Sequence, residues 1–114
     1  MFNFSMKKVA PDEAYRRLQK SLAQLGYLSE GSVIERPPGQ AGSRYLWTRK
    51  IKAKTVTVAL SKEPYDWMRQ AISNQRKCET IMKKLQRHSR KVLFENVPGV
   101  ARRKRLSQKV LGII

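Results

Sequence analysis

His88 and Cys78 are the only histidine and the only cysteine in the chain, so any proton-transfer or thiol chemistry near neutral pH would have to start from them. A nucleophile and base pair needs an activated Ser or Cys beside the imidazole, yet His88 lies between Arg87 and Arg90 on what reads as a basic helix. Cationic neighbours disfavour a charged imidazole, which makes His88 a solvent-facing or phosphate-contacting side chain rather than a catalyst. One cysteine can form neither an internal disulfide nor a thiolate metal cluster, and it suits a reducing, cytoplasmic setting. The 8 Asp and Glu residues are scattered, several at helix starts, and offer no carboxylate cluster for a divalent-metal nuclease. The segment Pro37-Pro38-Gly39-Gln40-Ala41-Gly42 has no lysine after its last glycine and matches no nucleotide-binding loop. The expectation is a chain with no enzymatic activity, no metal and no cofactor.

What the chain has in quantity is positive charge, with 25 Lys and Arg and a formal net charge of +17 over 114 residues. A small folded body this cationic repels itself unless a polyanion offsets the field. Hydrophobic residues make up 40% of the sequence, enough for a core and more than a purely disordered basic tail would carry. No segment approaches the ~20 apolar residues of a membrane span, and the start, MFNFSMKKVAPDE, is too charged for a secretory signal.

The elements that must position these charges follow from periodicity. Residues 1–9 read as an N-terminal arm or short edge strand. Pro11-Asp12-Glu13 opens a first helix near 11–25, with Ala14, Leu18, Leu22 and Leu25 at helical spacing and Gly26 as its stop. Ser32 to Arg36 is a short strand. Two further strands follow the Pro/Gly segment, and a turn at Lys52-Ala53 would set Trp47 opposite Val58 and Tyr45 opposite Leu60. The second face then carries Arg44, Thr48, Lys50, Thr55 and Thr57. Because this turn lacks Gly or Asn, a tight turn and a bulged or longer loop both remain open.

Ser61 caps a helix that no Gly or Pro interrupts from its first turn to about Asn96, some 50 Å at 1.5 Å per residue. Its stripe at a near three-four repeat, Met68, Ala71 or Ile72, Gln75, Cys78, Ile81 or Met82, Leu85, Ser89 and Val92, can cover the sheet and the first helix near its start and pair with a partner or a second copy farther along, although Gln75 and Ser89 weaken a coiled-coil seam. Together these give an α+β domain over 10–97, with a short helix, a three-stranded antiparallel sheet and a long helix at about 62–96. Residues 98–114 form a basic C-terminal tail or short helix. Trp67, next to Met68, is expected in the core.

Three basic constellations stand out. Arg44, Arg49, Lys50, Lys52 and Lys54 project from the hairpin, with no acid between Glu35 and Glu63, as phosphate or groove contacts or as a wetted edge that resists aggregation. Lys83, Lys84, Arg87, Arg90 and Lys91 lie on the long helix without an acid among them. They are either a solvated face or a phosphate-binding one. Arg102, Arg103, Lys104 and Arg105, with Lys109, suit an arm ordered on nucleic acid or a solubilising tail. Tyr45 and Trp47 either stack on unpaired bases or pack beneath the long helix.

The run Gly31-Ser32-Val33-Ile34-Glu35-Arg36, the Pro/Gly loop, Tyr45-Leu46-Trp47, the basic hairpin ending Thr55-Val56-Thr57-Val58, and Ser61-Lys62-Glu63 opening a long helix together resemble a known group. They are similar, over residues 18–99, to small bacterial and archaeal proteins encoded beside transposases in insertion sequences, a family without an assigned activity. Relatives carry cysteines in the loop that here runs from Pro37 to Ser43; this chain has none, so the small metal site of those relatives does not transfer. The resemblance implies a mobile-element context, with DNA or an element-encoded RNA as the polyanion. The expected function is a non-enzymatic nucleic-acid-binding accessory of a transposable element, cytoplasmic or nucleoid-associated. The alternatives are a structured-RNA-binding subunit of a ribonucleoprotein, or a coiled-coil or transposase-docking module that forms homo-oligomers through its long helix. No membrane partner is expected.

Overall fold

A computed structural model describes residues 10–96 and Gly112. It contains helix α1 (Glu13–Ala23), strands β1 (Ser32–Glu35), β2 (Tyr45–Ile51) and β3 (Lys54–Leu60), and helix α2 (Lys62–Asn96). The strands form one antiparallel sheet in the order β1-β2-β3, so the fold is α+β, as the sequence pattern predicts. The arm at 1–9 and the tail expected at 98–114, apart from Gly112, lie outside the described residues. These divide into two compact units, one formed by 10–24 with 80–96 and Gly112, the other by 25–79.

In the first unit Asp12 is the N-cap of α1, and its carboxylate accepts the Tyr15 amide at 2.9 Å. Pro11 therefore precedes the cap instead of occupying the first turn. The inward side of α1 is Tyr15, Leu18 and Leu22, all half-buried, whereas Ala14 of the expected stripe is exposed. Tyr15 takes that place because its ring meets His88 on α2, with centroids 6.1 Å apart. Leu85 is the buried residue of this part of α2.

In the second unit the hairpin register is the expected one, with Tyr45 opposite Leu60 and Trp47 opposite Val58. The turn is a tight two-residue one. Lys52 and Ala53 take left-handed φ values of 48° and 68°, because paired positive angles match the twist of the flanking strands even without Gly or Asn. The core is thin: Tyr65, Ala71 and Ile72 of α2 are its buried apolar side chains. Tyr45 packs on Tyr65 with ring centroids 4.8 Å apart, so this tyrosine lies beneath the helix. Trp47 instead donates its indole N–H to the Glu30 carbonyl at 3.1 Å.

Two features hold the 27–31 segment on α2. Asn74, buried, donates its side-chain amide to the Tyr27 carbonyl at 3.0 Å and accepts from Gln70 Nε2 at 3.1 Å. The Ser29 amide donates to the Ala71 carbonyl at 3.2 Å. This corrects the expected place of Trp67. It is 51% exposed, with its ring 5.5 Å from that of Tyr27, because Asn74 and Ala71 spend the neighbouring helix surface on the loop backbone and leave both rings outside.

Candidate nucleic-acid interface

The hairpin brings its cations together, but in two different states. Lys50, Lys52 and Lys54 are exposed around the Lys52-Ala53 turn. Arg49, by the alternation of β2, shares a face with Trp47. Its guanidinium stands over that indole at 5.6 Å and reaches Glu30 at 3.2 Å. Arg44 binds Glu35 at 3.0 Å and lies 5.6 Å from the Tyr45 ring centroid. An exposed ion pair of this kind contributes at most about 1 kcal/mol, so either arginine can exchange its carboxylate for a phosphate at little cost. The polar face carries Thr48 opposite Thr57 and Lys50 opposite Thr55.

On α2, Lys83, Lys84, Arg87 and Lys91 are exposed. Lys83, Arg87 and Lys91 follow one another four residues apart and therefore share a face. Arg90 differs from its neighbours. It is half-buried, its Nη2 donates to the Gly112 carbonyl at 3.0 Å, and its Nε is buried with no acceptor among the described residues. Arg102, Arg103, Lys104 and Arg105 lie outside the described residues.

His88 is neither solvent-facing nor aimed outward at a phosphate, contrary to the expectation. Its Nε2 lies 2.8 Å from Asp12 Oδ2 and 3.0 Å from Oδ1. A carboxylate accepts only, so Nε2 carries the proton in this contact. The N–H of Tyr15, followed by the His88 hydrogen bond, holds the Asp12 carboxyl below its ordinary value of 3.8. Asp12, Tyr15 and His88 line a cleft of about 360 Å³ with Pro11, Val92 and Leu93. Among the described residues lining this cleft, the Ser89 hydroxyl donates to the Leu85 carbonyl at 2.9 Å. No group of three or more metal-ligating side chains occurs among the described residues, and none of their helices is long and apolar enough to cross a membrane.

A scan against protein-family profiles found no match, and neither did searches of curated proteins and of solved structures. The chemistry must therefore be read from these residues. Two features lie outside the residues expected from sequence. The Asp12–His88 pair joins residues 76 positions apart and leaves no local signal. Arg69 and Arg76, both exposed on α2, were detectable as two arginines seven residues apart, which places them on one helical face.

Proposed function

We propose that the protein is a non-enzymatic nucleic-acid-binding accessory of a transposable element that binds mainly through phosphate contacts. One observation carries the reading: Lys50, Lys52 and Lys54 at the hairpin turn, and Lys83, Lys84, Arg87 and Lys91 on α2, stand exposed in a chain of net charge +17. Releasing counterions from nucleic acid makes such a surface favourable to fill, and the energy is electrostatic rather than base-specific. The mobile-element context rests on the likeness of the strand, hairpin and helix-start residues to proteins encoded beside transposases.

The test is a salt titration. With ~5–8 phosphates neutralised, log affinity for duplex DNA should fall against log salt with a slope of about −4 to −7. A flat dependence overturns the reading. Competition between duplex DNA and structured RNA at equal salt then decides between the DNA-bound accessory and a ribonucleoprotein subunit.

A second reading, a protein-docking module, is favoured by Met82 and Leu93, which stand 42% and 44% exposed on α2. Light scattering without nucleic acid, on the parent and on a Met82→Gln, Leu93→Gln variant, tests it. A monomer in both cases removes the homo-oligomer form of that reading.

A further inference from the structure

Strand β3 is an edge of the sheet, and among the described residues no strand pairs with its outer side. Lys54 through Ala59 are all exposed, Val56 and Val58 at 38% and 39%. Edges of this length are ordinarily blunted by proline, a bulge or an inward charge, because a row of free backbone groups invites pairing. β3 has none of these. Its register with β2 is unbroken from Lys54 to Leu60, and its single charged side chain, Lys54, stands at the turn end. The two-residue turn decides which backbone groups are free. Counting from the Ile51 and Lys54 pair that closes it, Lys54, Val56, Val58 and Leu60 exchange hydrogen bonds with β2, so the amides and carbonyls of Thr55, Thr57 and Ala59 point to the open side.

We propose that β3 is a self-pairing edge, which takes the β3 of a second copy of this chain in antiparallel register and joins the two sheets into one. Self-complementarity selects that occupant. Pairing centred on Thr57 sets Thr57 against the partner's Thr57 and Thr55 against the partner's Ala59, so every residue with free backbone groups exchanges its hydrogen bonds. A shift of two residues either way would set Ala59 against the turn residue Ala53, or Thr55 against Ser61 at the start of α2. On the face shared with Trp47, the centred register brings Val56 beside the partner's Val58, a β-branched pair that covers apolar surface now exposed. Charge permits the pairing despite the net +17 of each chain. Lys54 meets the partner's Leu60, so the two Lys54 side chains stand a strand's length apart, ~20 Å, beyond the screening length of about 8 Å at physiological salt. The two lysine turns lie farther apart still, at opposite ends of the joined sheet. The pairing does not depend on the nucleic-acid reading.

The experiment is sedimentation velocity of the nuclease-treated full chain over a series of protein concentrations, at low and at moderate salt. The parent should move from the mass of one 13.2 kDa chain toward twice that value as concentration rises. Salt should strengthen the association, since it screens two bodies of like charge, the opposite of its effect on nucleic-acid binding. Because Thr57 meets its own copy, Thr57→Lys and Thr57→Glu each place like charges directly opposite and should weaken the dimer at least about tenfold. An equimolar mixture of the two variants should dimerise as the parent does, because opposite charges then meet. Gln40→Lys, exposed in the Pro/Gly loop, controls for added charge and should leave the dimer intact. Thr57 is exposed and its backbone groups are not used by β2, so each variant should keep the parent's circular dichroism. A parent that stays monomeric at every concentration and salt overturns the proposal. So does a dimer that both Thr57 variants leave unchanged, and its loss in the Met82→Gln, Leu93→Gln variant would assign the contact to α2.

Discussion

His88 Nε2 and Asp12 Oδ2 lie 2.8 Å apart, joining the cap of α1 to the distal part of α2. The same carboxylate accepts the Tyr15 amide, so one side chain both starts a helix and holds it against another. This relationship gives the first unit a defined response to acid. The Asp12 carboxyl is depressed below 3.8, first by the Tyr15 N–H and then by His88. A depressed carboxyl stabilises the fold fully above its unfolded value, and that contribution disappears as pH falls through the folded value. Unfolding by denaturant at a series of pH values below about 4 should therefore show a loss of stability in the parent that Asp12→Asn lacks. An identical acid response in both proteins would show that Asp12 is not the group responsible.

The hairpin turn carries strain that can be relieved. Lys52 and Ala53 both hold left-handed angles that cost a side-chain-bearing residue roughly 1–2 kcal/mol each. Replacement by Asn-Gly, the pair suited to this turn, should stabilise the protein by about 1 kcal/mol, equivalent to ~4–8 °C in Tm for a domain of this size. Thermal melts of Lys52→Asn, Ala53→Gly and the double variant measure it. A lower Tm in the double variant would mean that the loop is not of this type.

Gly31 is constrained in the opposite way. Its φ of +104° is one that L side chains avoid, and a Cβ there would meet the Thr48 carbonyl and come within 2.6 Å of Trp47 Nε1. Gly31→Ala should destabilise by more than about 1 kcal/mol, since both the angle and the space forbid it. It should also disturb the indole bond to Glu30, so the Trp47 fluorescence, isolated in a Trp67→Phe background, should shift along with the melting curve.

Much of this architecture is legible from residue order, and the failures share a cause. Hairpin register follows from alternation, because a slip by one residue would turn Tyr45 and Trp47 away from the helix side. The start of α1 is legible only to within two residues, because Asp12 takes the cap where a first turn from Pro11 is expected, whereas α2 begins directly after Ser61 as expected. Trp67 misleads because periodicity identifies which helix face is apolar but not which part of that face a loop will occupy. Asn74, a polar residue, takes the buried position by bonding the Tyr27 backbone. The cationic candidates were visible as a composition, but their sorting was not. Arg44, Arg49 and Arg90 find carboxylate or carbonyl partners through the tertiary fold, while Lys50, Lys52 and Lys54 remain exposed.

The exposed pair of Tyr27 and Trp67 makes the two tryptophans distinguishable. Trp67 is 51% exposed, whereas Trp47 is half-buried with its N–H bonded. Acrylamide should quench Trp67→Phe less strongly than Trp47→Phe. If unpaired bases stack on this pair, adding single-stranded nucleic acid should protect the Trp67 emission, with ~1–3 kcal/mol per base lost in Trp67→Ala. Protection by duplex alone would argue against stacking.

The charge run on α2 sets stability against binding in one substitution. Arg87 has Lys83 and Lys91 four residues away on either side and Lys84 and Arg90 at three, so each neighbour at helical spacing repels it. Each such like-charge pair costs ~0.2–0.5 kcal/mol, and an acid at this position would convert all four to attraction. Arg87→Glu should therefore raise Tm at low salt, with the gain shrinking as salt screens it. The same change should weaken duplex DNA binding and make its salt slope shallower by about 1 or more. A protein that gains stability and loses affinity has kept a repulsive surface for a ligand. One that gains stability with unchanged affinity carries only a wetted helix face there, which leaves the exposed lysines of the hairpin as the phosphate contacts.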